Sequence, residues 1–91
     1  MIYNLINPFE ISPNPTNGKL RIESTQFEVI EDIEKVEVYS IEGKLLKSID
    51  LSTSWERMIE LDVSFINQSQ SIILSVITAK NKYNEIINIT K

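Results

Sequence analysis

Apolar and polar residues alternate with a period of two in short runs along most of the chain, and turn-forming residues stand between the runs. Phe9 and Ile11 alternate with Glu10 and Ser12 before Pro13 and Pro15 end the run. Leu20 and Ile22 alternate with Arg21 and Glu23, and Val36 and Val38 with Glu37 and Tyr39. Ile59, Leu61 and Val63 alternate with Glu60 and Asp62, which predicts a strand with one buried and one wet face. Residues 71–79 are apolar on both sides of the alternation and predict a central strand covered on both faces. Ile87 and Ile89 mark the last strand. Residues 25–32 follow no period and read as a long loop or a short helical turn.

The punctuation agrees with these runs. Asn17-Gly18, Glu42-Gly43 and Asn81 fall between them, at places where Gly or Asn is expected to take a positive φ. Glu42-Gly43 predicts a hairpin between residues 36–40 and 45–49, and Asn81 a second one between residues 72–79 and 85–90. In Pro13-Asn14-Pro15-Thr16-Asn17-Gly18 the prolines fix φ and remove two backbone donors, and Asn14 is pushed to an extended conformation. Thr16-Asn17-Gly18 then reads as a turn with Gly at the strained position. The hexapeptide predicts a rigid corner between two strands. Its bland reading, scaffolding that touches no partner, is the one that local physics favours. The predicted fold is all-β, a small immunoglobulin-like antiparallel β-sandwich of six to seven strands over residues 8–91. Residues 1–7 read as a linker remnant or as residues added to an excised domain.

Composition narrows the chemistry more than the fold. Ile, Val and Thr number 26 of the 91 residues and Ala occurs once, at Ala79, which suits a pleated surface better than a helix. Nine Lys and Arg against thirteen Asp and Glu give a net charge of −4, which argues against nucleic acid as a partner. The chain has no Cys and no His. A disulfide framework, a thiol nucleophile, a thiolate metal site and the commonest general base are therefore excluded. No Ser has a His partner, and no pair of carboxylates stands beside a recognisable substrate loop. The chain is read as no enzyme, with no cofactor.

The corner and the central hairpin together carry a family likeness. The chain resembles the C-terminal sorting domain (type A) of proteins exported by the type IX secretion system of Bacteroidetes. Asn7-Pro8-Phe9-Glu10-Ile11-Ser12, the corner Pro13, Asn14, Pro15, Thr16, Asn17 and Gly18, and then Lys19-Leu20-Arg21-Ile22 are similar to the family's opening strand, corner and second strand. Residues 33–47, with Tyr39, Gly43 and Lys44 in place, are similar to its central hairpin, and Leu61-Asp62-Val63-Ser64 to the segment before its last hairpin. The Leu-Pro-x-Gly turn and the Ile-Tyr strand opening usual in the family are replaced by Phe65-Ile66-Asn67-Gln68-Ser69-Gln70-Ser71-Ile72-Ile73. The chain again ends as the family does, on an apolar strand finishing in Lys91.

The resemblance implies a domain without catalytic function that addresses a larger secreted protein, its cargo, to an outer-membrane translocon. It implies passage through the periplasm, removal by a sortase-like peptidase, and release or surface attachment of the cargo. Recognition is then expected on the exposed face or edge of the last two strands, with Ile87, Ile89 and Lys91 as candidates. Cleavage is expected ahead of Phe9, in chain that can leave the fold. The alternative is an accessory immunoglobulin-like module that binds a polysaccharide or acts as a spacer beside a catalytic domain. A sorting domain must be the last part of its reading frame, whereas a spacer need not be.

Other features have bland readings. Glu28, Glu31, Asp32, Glu34 and Glu37 form an acidic cluster without calcium-loop spacing, and a solvated face is expected. Trp55 and Arg57 are candidates for a sugar platform, but Trp55 shares the parity of Ile59 and Leu61 and is expected to cap the core. Asn67-Gln68-Ser69 and Asn88-Ile89-Thr90 match the glycosylation pattern by chance.

Overall fold

The computed structural model describes residues 9–24, 33–51 and 58–91. The expectations for residues 1–8, for residues 25–32 and for Trp55 and Arg57 lie outside them. The described residues form seven strands: β1 (Phe9–Ser12), β2 (Lys19–Ser24), β3 (Ile33–Ser40), β4 (Leu45–Asp50), β5 (Met58–Asp62), β6 (Gln70–Thr78) and β7 (Lys82–Ile89). All pairings between strands are antiparallel, in a three-stranded sheet of order β1-β2-β5 and a four-stranded sheet of order β4-β3-β6-β7. This is the layout of a seven-stranded immunoglobulin-like sandwich. Sequence neighbours pair in the hairpins β1–β2, β3–β4 and β6–β7, while β2–β5 and β3–β6 are joined across the fold.

The inward parities meet in one core. Ile11, Leu20, Ile22, Ile59 and Leu61 from one sheet face Val36, Val38, Ile72, Leu74, Val76, Ile87 and Ile89 from the other. Phe9 and Tyr83 close one seam, their rings edge to face at 5.8 Å. At the other seam Lys47 Nζ, on β4, donates to the Asp62 carbonyl at 2.8 Å.

Three expectations are corrected here. Gly43 does hold a positive φ, 93°, in the four-residue loop that joins β3 to β4, closed by Ser40 N–H to Lys44 O at 2.8 Å. Gly18 does not, and neither does Asn81. Instead, Thr78 N–H donates to Asn81 O at 2.8 Å, and the Thr78 hydroxyl takes the amides of Lys80 and Asn81, so side-chain bonding rather than a left-handed residue makes that turn. The third correction concerns β6. Its inner positions are buried, but Ile73 and Ile77 on the outer face are only half-buried. Their shielding comes from side chains of neighbouring strands, Tyr39 and Ile86 opposite Ile73, and Lys35 and Lys82 opposite Ile77.

Glu34 and Glu37, both expected on a solvated face, sit three apart on β3 and differ in exposure. The register shifts between Ile33 and Lys35, so Glu34 bulges out exposed while Ile33 and Val36 both point inward. Glu37 is not a freely solvated carboxylate. It lies 3.7 Å from Lys35 Nζ with a side chain only 12% exposed.

Candidate functional site

The two outer faces of the sandwich differ in chemistry. On the three-stranded sheet, Arg21 stands opposite Glu60 and Lys19 opposite Asp62, a ladder of opposite charges suited to water. On the four-stranded sheet, Leu45, Tyr39, Ile73 and Ile86 are successive cross-strand partners and form an apolar row across all four strands. Leu45 and Ile86 are exposed by 49% and 58%. Beside this row the Ser75 hydroxyl, buried on the same face, donates to Asn84 Oδ1. Lys82 Nζ sits 5.5 Å over the Tyr39 ring. Hydrogen bonding with Glu37 and partial desolvation raise the Tyr39 phenol above its ordinary pKa.

The corner lies against the outer edge of β7. The Asn14 carboxamide donates from Nδ2 to the Ile86 carbonyl at 3.2 Å and accepts at Oδ1 from the Asn88 N–H at 3.0 Å. It stands where the peptide group of a further strand would stand. The next rungs are backbone: Thr16 N–H to Asn88 O at 2.9 Å, and Thr90 N–H to Thr16 O at 2.8 Å. Thr16 thus pairs with Ile89 as a single parallel bridge. Pro13 and Pro15 bring no N–H, so the corner crosses the edge without leaving their donors unpaired.

Thr16 is buried and its hydroxyl is used twice. It donates to Lys19 O at 2.6 Å and accepts from Gly18 N–H at 3.2 Å, which shapes the turn into β2. Space at Gly18 is tight. A Cβ there would lie 3.2 Å from Ser64 Cβ and 3.6 Å from Lys91 Nζ. Its carbonyl accepts from Val63 N–H at 2.7 Å. Next to it, Ser64 donates its N–H to Asp62 Oδ1 at 2.8 Å, and the bonds from Ser64 hold the Asp62 carboxyl below its usual range. The turn ends on Ile66, whose N–H reaches Val63 O at 3.0 Å and whose side chain is buried. A buried Ile thus closes the stretch that replaces the Leu-Pro-x-Gly turn usual in the family.

Of the residues singled out at the end of the chain, Ile87 and Ile89 are 0% and 2% exposed, so their side chains pack the core and offer nothing to a partner. Lys91 is exposed and held on two sides: Nζ donates to Asn17 O, and its N–H donates to Ser69 Oγ at 2.8 Å. The side chains that β7 shows to solvent are Ile86, Asn84, Asn88 and Lys82. The edge of β7 expected to lie open is occupied by the corner from Ile86 to Thr90. Tyr39 joins the apolar row, Gly43 shapes the hairpin beside it, and exposed Lys44 closes that hairpin through its backbone.

Sequence reasoning missed Leu45, Ile73 and Ile86. The signal was present in the double-faced apolar run of β6, read as evidence of a second cover. It also missed Glu85, half-buried on β7, whose Oε2 has no hydrogen-bond partner among the described residues and whose pKa is raised by burial. Among the described residues, no group of three or more acidic side chains is placed to hold a metal ion.

Residues 10–68 match the family model described as the secretion system C-terminal sorting domain. No curated protein matches the chain, and no solved structure does.

Proposed function

The chain belongs to the family of secretion system C-terminal sorting domains, and we propose that it works as a non-catalytic address, read on the outer face of its four-stranded sheet. Sorting domains of this family are signals for type IX secretion in Bacteroidetes. They direct a longer precursor to the cell surface or the medium. The observation that carries the reading is the family match over residues 10–68, which spans the corner, the first sheet and the hairpin of β3 and β4. In this reading the cargo crosses the periplasm, the translocon binds the domain, and a sortase-like peptidase cuts ahead of Phe9. The cargo is then released or attached to the surface.

Recognition by a face fits the geometry better than recognition by an edge. Strand addition needs unpaired backbone groups, and the corner already fills those of β7 from Ile86 to Thr90. The apolar row of Leu45, Tyr39, Ile73 and Ile86 offers contact area that the core does not use. A passenger with a periplasmic signal at its front and residues 8–91 at its back tests the reading. It is expected at the surface of a host with type IX machinery and in the periplasm of a host lacking it. A passenger that stays in the periplasm of the competent host, while a standard family member exports it, rejects the address and favours a binding or spacer module.

A further inference from the structure

We infer that Asn14 and Thr16 are positioning residues of the export address: they hold residues 86–91 in the one path in which their exposed side chains can be read. The inference rests on the sorting function proposed above and adds the residues that set up its surface. Its basis is a connection across almost the whole chain. The Asn14 carboxamide bonds to Ile86 and Asn88, which lie 72 and 74 positions away. Thr16 continues the same line of bonds to Asn88 and Thr90 through its backbone.

An edge strand in a small sandwich frays where its outer groups face only water. Here the outer groups of Ile86, Asn88 and Thr90 are bonded to the corner instead. The corner is itself stiff, because two prolines fix its φ angles and the Thr16 hydroxyl bonds both Gly18 and Lys19. Lys91 is tied back to Asn17 and to Ser69, so the path stays fixed to the last residue. The exposed positions Ile86, Asn88 and Thr90 are therefore presented at set intervals. The Ser71 hydroxyl bonds Asn88 Oδ1 at 2.8 Å and fixes that side chain as well. A role in stability alone would make any equally destabilising change equivalent. A positioning role would not.

The experiment compares Asn14→Ala with Ile22→Val, which trims a core residue that is 0% exposed on β2 and takes no part in the hydrogen bonds between the corner and residues 86–90. Both are fused to the same passenger and compared at a temperature where their folded fractions are equal. Asn14→Ala is expected to export at least about threefold less than Ile22→Val. In the isolated domain it is expected to speed amide exchange at Asn88 about tenfold more than at Leu74 on β6. Asn14→Asp keeps the acceptor for the Asn88 N–H and is expected to retain both the slow Asn88 exchange and most of the export. Equal export by Asn14→Ala and Ile22→Val, beside a wild type that exports, overturns the positioning role and leaves the sorting function standing. An unchanged Asn88 exchange rate in Asn14→Ala also overturns it. A wild-type domain that fails to export removes the sorting function, and the address role with it.

Discussion

The two glycines of this chain stand in turns for opposite reasons. At Gly43 the backbone takes φ 93°, and among the described residues none beyond its chain neighbours lies within 4 Å of the place a Cβ would occupy. The demand there is conformational and local, set by a four-residue loop between paired strands. At Gly18 the φ is ordinary, and a Cβ would stand 3.2 Å from Ser64 Cβ. The demand there is spatial and long-range. The start of β2, the residues after β5 and the end of the chain at Lys91 meet at that point. One turn reverses the chain. The other joins parts of the fold that are far apart in sequence.

The largest expected effect tests whether the corner has anything to hold. Deleting residues 85–91 removes Ile87 and Ile89 from the core and strips β6 of most of its partner. Each buried Ile contributes about 2–5 kcal/mol by truncation data, comparable to the whole stability of a small domain. The cooperative thermal transition should disappear. Next comes Gly18→Ala, expected to cost about 1–3 kcal/mol through overpacking. Adding Ser64→Gly, which removes the opposing Cβ, should recover a substantial part of that loss in a double-mutant cycle.

Gly43→Val sharpens the contrast at a smaller scale. It should lower stability by about 1–2 kcal/mol because a β-branched residue is strained in the left-handed region, and Ser64→Gly should not rescue it. A denaturant titration of the three single variants and the two doubles decides this. If Ser64→Gly rescues both glycine variants, or neither, the distinction between a local and a spatial turn fails.

The smallest effects depend on pH and have opposite signs. Burial raises the Glu85 pKa, so the folded state holds that proton to higher pH than the unfolded chain does. Its destabilising influence is absent below the ordinary carboxyl range and complete above the raised value. Glu85→Gln should therefore raise the melting temperature at neutral pH and give no gain in acid. Bonds from Ser64 lower the Asp62 pKa, so its contribution is present above the ordinary carboxyl range. It is lost as pH falls through the lowered value. Asp62→Asn, followed by thermal melts across the acid range, should flatten that part of the profile.

The strands and their inward parities were legible in the sequence, because burial of one face leaves a period of two in residues such as Ile59, Leu61 and Val63. Gly43 was legible for a similar reason: its requirement is set by its immediate neighbours. Asn81 was misread because Thr78 supplies, through its hydroxyl, the turn bonds that a positive φ would have served. The reason for Gly18 was hidden, since no local pattern announces that Ser64 will pack against it. The double-faced run of β6 gave a correct signal and an incorrect conclusion. Ile73 is apolar because the outer row is apolar, and the shielding there comes from its strand neighbours. The bonds of Asn14 were the least legible of all, because they join positions 72 and 74 apart.

The most direct measurement is amide hydrogen exchange on the unmodified domain, comparing Thr16 and Thr90 with Gly43. If the corner and the end of the chain form one unit with the core, the Thr16 and Thr90 amides should exchange only through global unfolding. Their rates should then match Leu74 on β6. The Gly43 amide, in a loop at the edge of the sheet, should exchange faster by local opening. Thr16 and Thr90 amides that exchange as fast as that of Gly43 would show that the corner does not hold the end of the chain, and would contradict the account.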